Sequence, residues 1–243
     1  MASPDPGGLP PGQREHGSFP RFGLTPYAAR FPREPRHVRL TLAGELRAPQ
    51  DLDDAAWARL PRHEQHSDFH CVTTWSRRGL RWGGVRFRDV AALVDADPAA
   101  TIVSFQGQDG YHAALPLADL LAADVLLADR LDGAPLPLEH GAPLRLVAPA
   151  HYGYKSVKHV QRITWLPQAP PHRPLMFSWM IHPRGRVAFE ERGRGLPGWL
   201  LRWLYRPMIA STAELFAREL ARHRAQQADG TGDPSAPRGL DPR

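Results

Sequence analysis

One cysteine in 243 residues, Cys71, decides what cannot hold this chain together. Without a partner it closes no internal disulfide, and cysteine-rich zinc or iron–sulfur frameworks are excluded with it. The fold therefore rests on a hydrophobic core, for which an apolar fraction of 42% is enough material. The cysteine lies in His66-Ser67-Asp68-Phe69-His70-Cys71-Val72-Thr73-Thr74-Trp75, where Phe69, Val72 and Trp75 alternate with His70, Thr73 and Thr74. Two readings of such a residue stand side by side. It is a small buried hydrophobe, or it is a thiolate of the kind that soft metals select.

Charge supplies the second clue. The chain carries a net +6, and arginine accounts for 29 of its 31 basic residues. The only two lysines, Lys155 and Lys158, sit three apart in His151-Tyr152-Gly153-Tyr154-Lys155-Ser156-Val157-Lys158. Gly153 lets backbone amides approach a ligand closely. Lys155, Ser156 and Lys158 add charge and a hydroxyl, a combination suited to a phosphate or pyrophosphate. The bland alternative is a solvated face. Basic charge also invites a nucleic-acid-binding reading, but the arginines are not interleaved with a recognition module, and the body of the chain is close to neutral.

The Pro/Gly-rich residues 1–18 are expected to be disordered. Residues 19–36 carry Phe19, Phe22, Tyr27 and Phe31 and read as an arm lying over a surface. Alternation at Val38, Leu40 and Leu42 predicts a strand ended by Gly44. Residues 51–60 read as a short helix with an Asp cap, stopped by Pro61. The cysteine stretch reads as a strand running into a loop that Gly83-Gly84 closes. Helices are expected over 86–94 and 116–123, and strands over 101–105, 125–128 and 143–147, with turns at 107–110 and Asp132-Gly133. A further strand ends in Ile163-Thr164-Trp165. This mixture of short strands and helices over 36–167 makes the class α+β.

Composition changes at the prolines of 167–174. Residues 168–225 form a linker and an Arg/Trp-rich helical extension, and 226–243 are expected to be disordered. Pro207 breaks the extension, and Ser211-Thr212-Ala213-Glu214 reads as a capping box for a helix to about Ala225. Between Arg184 and Arg224 nine arginines face four glutamates, most of the chain's surplus. This extension either packs an amphipathic face on the domain or docks on an anionic membrane or an acidic redox partner. Packing is the expectation, because four large apolar side chains in 199–204 are more than a surface usually exposes. No apolar run is long enough to span a membrane as a helix. The N-terminus lacks a basic region followed by an apolar run, so a cytoplasmic location is expected.

Several motifs then occur in order: the Phe-Pro-Arg arm from Phe19, Asp-Phe-His-Cys-Val-Thr-Thr-Trp-Ser, Trp-Gly-Gly-Val-Arg-Phe, Gly-Tyr-His-Ala-Ala-Leu-Pro-Leu, His-Gly-Ala-Pro-Leu-Arg-Leu-Val-Ala-Pro and Tyr-Gly-Tyr-Lys-Ser-Val-Lys. Over roughly 19–167 they resemble the molybdopterin-binding domain of the sulfite oxidase family. The resemblance implies a molybdenum–molybdopterin cofactor with Cys71 as the protein's thiolate ligand to the metal. It places His140, Arg145, Ser156, the Val157 backbone and Lys158 around the pterin and its phosphate. Lys155, Tyr111, Gln106, Arg21 and, beside the cysteine, His70 complete the implied set. It also implies two-electron oxygen-atom transfer on a sulfoxide, N-oxide or sulfite-like substrate. No haem or flavin signature is present, so electrons are expected to pass to or from a separate partner. A non-catalytic pterin-binding scaffold is the alternative, but such a scaffold would not need a thiolate. Sulfite oxidases follow their cysteine closely with paired arginines, whereas here Val72-Thr73-Thr74-Trp75-Ser76 precedes Arg77-Arg78. The Cys-Val-x-x-Trp-Ser pattern is nearer the bacterial protein-methionine-sulfoxide reductase branch. Thr73 departs from that branch, which has an acidic residue there.

Overall fold

The computed structural model describes residues 8–170, 182–190 and 198–229. Two sheets form the body. The first contains β1 (Arg14–Glu15), β4 (His63–His70), β5 (Trp75–Arg86), β8 (Leu126–Leu131), β9 (Ala134–Pro135) and β10 (Arg145–Val147). The second runs in the order β3 (Gln50–Asp53), β2 (Arg39–Gly44), β11 (Val160–Leu166), β6 (Ile102–Gly107) and β7 (His112–Pro116). Only the β11–β2 pair is parallel in the second sheet. Short helices α1 (Asp54–Ala58), α2 (Phe87–Ala91) and α3 (Leu117–Leu120) fill the connections. Two more, α4 (Gly198–Tyr205) and α5 (Met208–Ala228), form the C-terminal extension. The class is α+β, as the sequence implied.

Alternation along the strands divides the core. Leu40, Leu42, Phe105, Leu127, Ile163 and Trp165 belong to one large buried cluster, while Leu80, Trp82, Leu126 and Ala128 form a second on which Phe19 and Phe69 pack. Neighbours Leu126 and Leu127 thus face opposite ways, as a pleated strand requires. In β5 the same switch is made by a bulge. Gly83 and Gly84 do not close a loop, as expected, but lie inside the twelve-residue strand, where the register to β8 shifts. A Cβ on Gly84 would stand 2.1 Å from the Leu127 carbonyl oxygen, so glycine is what permits this close pairing.

Other expectations are corrected by pairing that local pattern does not reveal. Within 1–18, residues 8–18 are ordered: Arg14 and Glu15 pair in parallel with Trp75 and Ser76 at the start of β5. The first part of the 51–60 helix is β3, so the helix opens later than expected, and its cap is Asp53, which accepts from the Ala56 amide at 2.8 Å. The helices expected over 86–94 and 116–123 shrink to α2 and α3. Residues 112–116 become β7 because β6 offers them a partner edge. The capping box at Ser211 is not used. Helix α5 starts at Met208, directly after Pro207, and the Ser211 hydroxyl bonds back to the Met208 carbonyl inside it. Residues 226–228, expected in the disordered tail, continue α5.

Candidate active site

The cysteine sits at the end of the β4–β5 hairpin. The Cys71 amide donates to the Trp75 carbonyl at 2.8 Å, and the Thr74 amide donates to the Cys71 carbonyl at 3.0 Å. Thr74 takes a left-handed φ of 79°, closing a three-residue turn of Val72, Thr73 and Thr74. The N-terminal segment braces this turn. Gln13 donates to the Cys71 carbonyl and accepts from the Ser76 hydroxyl, both at 3.0 Å, and that hydroxyl meets His70 Nδ1 at 2.7 Å. From the other side, Leu201 and Tyr205 of α4 pack against Val72. The thiol is free and buried, with Sγ 3.0 Å from Thr73 Oγ1. Burial pushes the thiol's pKa up, and the Thr73 contact and Lys158 act against that rise. A metal cation would supply the compensation that a buried thiolate needs.

A cavity of about 130 Å³ opens beside Sγ, lined by Cys71, Thr73, Arg21, Tyr111, Ser156 and Lys158 among others. A smaller one of about 40 Å³ is lined by His140, Arg145 and Phe19, and it shares Phe22, Phe69, Trp75, Gly153, Ser156 and Lys158 with the first. The two are parts of one groove. Gly153 makes the approach possible, since a Cβ there would meet the Phe69 ring at 2.1 Å. Phe216 of α5 lines the larger cavity from above, so the C-terminal extension closes the site.

Three cations converge here, and the acids that share the cavity walls, Asp109 and Glu139, form a salt bridge with none of them. Arg145 is 3% exposed, donates to the His140 carbonyl at 2.9 Å, leaves Nε without a partner, and lies over the rings of Trp82, Phe69 and Phe19. Burial holds its pKa down to about 9. Lys158 donates to the Phe22 carbonyl at 3.1 Å and is held down to about 7 by burial, with Arg145 and Arg21 adding repulsion. Arg21 donates to the carbonyls of Ala28 and Arg30 at 2.6 and 3.0 Å and is held down to about 10, chiefly by burial. Among the described residues none of the three forms a salt bridge. His140 stacks on Phe19 at 4.5 Å and is held down to about 4 by burial and by Arg145. Buried, unpaired positive charge costs free energy unless an anion compensates it. The donor set therefore fits an anionic, ring-bearing ligand whose other end reaches a thiolate-binding metal, which is the chemistry of molybdopterin.

Of the residues implied by the sequence, Cys71, Arg21, Tyr111, His140, Arg145, Ser156 and Lys158 line this groove. The others point elsewhere. Gln106 is exposed on β6 between Arg162 and His112. His70 is engaged by Ser76. The Lys155 ammonium donates to the Ala114 carbonyl at 2.8 Å and to the Pro183 carbonyl, tying segments together. The Val157 amide is taken by the Lys155 carbonyl, and its side chain lies in the large core cluster. Within the groove itself, Tyr111 donates to the Tyr154 carbonyl at 2.6 Å. Sequence reasoning missed Asp109, whose carboxyl is pushed up by burial at the cavity wall, and Phe216. Thr73 carried a signal, its place two residues after the cysteine.

The chain matches the family described as the oxidoreductase molybdopterin binding domain over residues 28–173. It is 36% identical over 167 residues to the uncharacterized oxidoreductase YuiH of Bacillus subtilis, covering 68% of this chain and 82% of that protein. It is 33% identical over 150 residues to the protein-methionine-sulfoxide reductase catalytic subunit MsrP of Gluconobacter oxydans, covering 54% of this chain and 48% of that one. With sulfite oxidase of Gallus gallus the identity is 33% over 170 residues, covering 58% and 37%. The chain thus spans most of the Bacillus protein but less than half of the other two. The fold is similar to that in the crystal structure of the sulfane dehydrogenase SoxCD from Paracoccus pantotrophus, with a TM-score of 0.54, 22% identity, and coverage of 63% of this chain and 44% of that one. Among the described residues no helix is long and apolar enough to cross a membrane. The family match and the buried cationic groove beside a free thiol agree: the chain belongs to the oxidoreductase molybdopterin binding domain family and is a molybdopterin-dependent oxidoreductase.

Proposed function

We propose that this chain reduces sulfoxide-type substrates by two-electron oxygen-atom transfer, with Cys71 as the protein's ligand to molybdenum. The observation that carries the reading is the free buried thiol adjoining a groove of buried cations that, among the described residues, have no salt-bridge partner. When bound, the molybdenum centre supplies the oxygen-atom transfer itself. The chain's own residues bind and orient. Lys158 and Arg145 offset the ligand's negative charge. His140 is neutral at neutral pH and offers a ring hydrogen bond without adding charge. Phe22, Phe69 and Trp75 wall the groove with apolar rings that keep water from it.

A neutral sulfoxide suits this site better than sulfite. Arg77 and Arg78, the cations nearest Cys71 in the chain, line neither cavity; Arg77 donates to the Gly17 carbonyl and Arg78 pairs with Asp68. The similarity to MsrP supports the same choice. Reduction of a sulfoxide to a sulfide and water consumes two electrons and two protons, which a separate donor protein or carrier delivers. A cytoplasmic location belongs to this proposal and is tested by cell fractionation.

The test is metal analysis and dye-linked turnover of the purified chain. Stoichiometric molybdenum, with sulfoxide reduction faster than sulfite oxidation, is expected. Cys71→Ser should abolish turnover while the fold and most of the molybdopterin are retained, because the cationic contacts lie on other residues. Full activity in that variant, or faster turnover of sulfite, would refute the reading.

A further inference from the structure

We propose that the outer face of α4 docks on an anionic lipid surface. The sequence reading expected the large apolar residues of this helix to pack together, and the structure divides them instead. Leu201 and Tyr205 are each 1% exposed, whereas Trp199 and Trp203 are 69% and 70% exposed and Leu204 is 41% exposed. The division follows helical geometry: positions 199 and 203 are one turn apart, and 201 and 205 lie on the opposite side. One side anchors the helix on Val72, and the other carries two bare indoles.

Two neighbouring tryptophans left to water are uncommon on a soluble surface. Their rings are apolar in body and polar at the N–H, which suits the boundary between acyl chains and headgroups. Charge agrees. From Gly198 to Ala213 the only charged residues are Arg202, whose side chain turns inward against Gly12, and Arg206, and the first carboxylate after them is Glu214. Arg206 is exposed immediately after the helix. An apolar, basic face of this kind is complementary to anionic lipid.

Other occupants fit less well. A second copy docking through a two-fold axis would set this basic patch against itself. Helix α4 has eight residues and is about 12 Å long, too short to supply the roughly 800 Å² per side of a stable protein interface. An interfacial anchor needs only the two indoles and the adjacent charge. Because the inner face packs on Val72, docking would hold the Cys71 turn about one helix diameter, roughly 10 Å, beneath the lipid surface.

The experiment uses the full-length, cofactor-loaded chain with vesicles of phosphatidylcholine alone and of phosphatidylcholine with one quarter phosphatidylglycerol. Sedimentation with the anionic vesicles, absent with the neutral ones and lost as salt rises from 0.05 to about 0.5 M, is expected on electrostatic grounds. Trp199→Ser with Trp203→Ser should weaken that binding at least about tenfold and leave dye-linked turnover unchanged, since neither ring lines the groove. The proposal is overturned if the chain ignores anionic vesicles or if the double variant binds them as well as the parent. It is equally overturned if the parent is a dimer that the double variant converts to a monomer. None of these outcomes bears on the redox reading.

Discussion

Replacing Arg145 with methionine should stabilise the empty protein and weaken its hold on the cofactor. The guanidinium is buried among aromatic rings and, among the described residues, makes one hydrogen bond and has no carboxylate partner. Its pKa is held down to about 9 by burial alone, which corresponds to a penalty on the charged form of roughly 5 kcal/mol as an upper bound. Methionine removes that penalty and keeps most of the apolar volume. It also removes the bond to the His140 carbonyl and the ring contacts, which are worth about 2–3 kcal/mol together. The net gain for the cofactor-free protein is then at most about 2 kcal/mol, or up to roughly 4–8 °C in Tm for a chain of this size. With cofactor that gain is offset. Loss of one charged contact to an anion costs about 2 kcal/mol or more, roughly a thirtyfold weakening. The assay is thermal melting of Arg145→Met made with and without cofactor synthesis, with molybdenum content measured alongside. A cofactor-free variant that melts well below its parent would show that Arg145 is structural. Unchanged molybdenum content would remove it from the cofactor groove.

Two further expectations follow from the same groove. Thr73→Val removes the hydroxyl 3.0 Å from Cys71 Sγ, and a thiolate without that donor gives more charge to its metal, so the reduction potential should become more negative at unchanged metal content; an identical potential would sink this role. Lys158 has a folded pKa of about 7 against an ordinary 10.5, so between those values the unfolded chain binds a proton that the folded chain lacks. The cofactor-free protein should therefore gain stability as pH rises from 7 towards 10, with the full penalty present below 7. Lys158→Met should flatten that rise, although Lys155, lowered to about 8, contributes in the same direction. An unaltered pH profile in the variant would refute the assignment.

Local chemistry made much of this molecule legible. The strand at β2, the turn at Asp132-Gly133, an Asp cap for α1 and the α+β class follow from alternation, turn residues and capping, which act over a few residues. The motifs in order led to seven of the groove residues. The misses share one cause. Residues 8–18 become ordered because Gln13 reaches Cys71 and Ser76, partners about 60 positions away. Gly83-Gly84 looked like a loop end until the bulge against β8 explained it.

By itself the sequence determined that no disulfide supports the fold and that Cys71 is a lone thiol in a motif shared with molybdopterin enzymes. It also determined that the two lysines stand together beside a glycine turn. Only the tertiary structure decided which lysine faces the groove. Two neighbours on one short turn point in different directions, Lys155 to backbone carbonyls and Lys158 to the cavity beside the thiol. It likewise decided that α5 roofs that cavity through Phe216, and that α4 buries Tyr205 while leaving Trp203 in water. Periodicity reports that a helix has two faces, but which face is covered depends on what the rest of the chain brings against it.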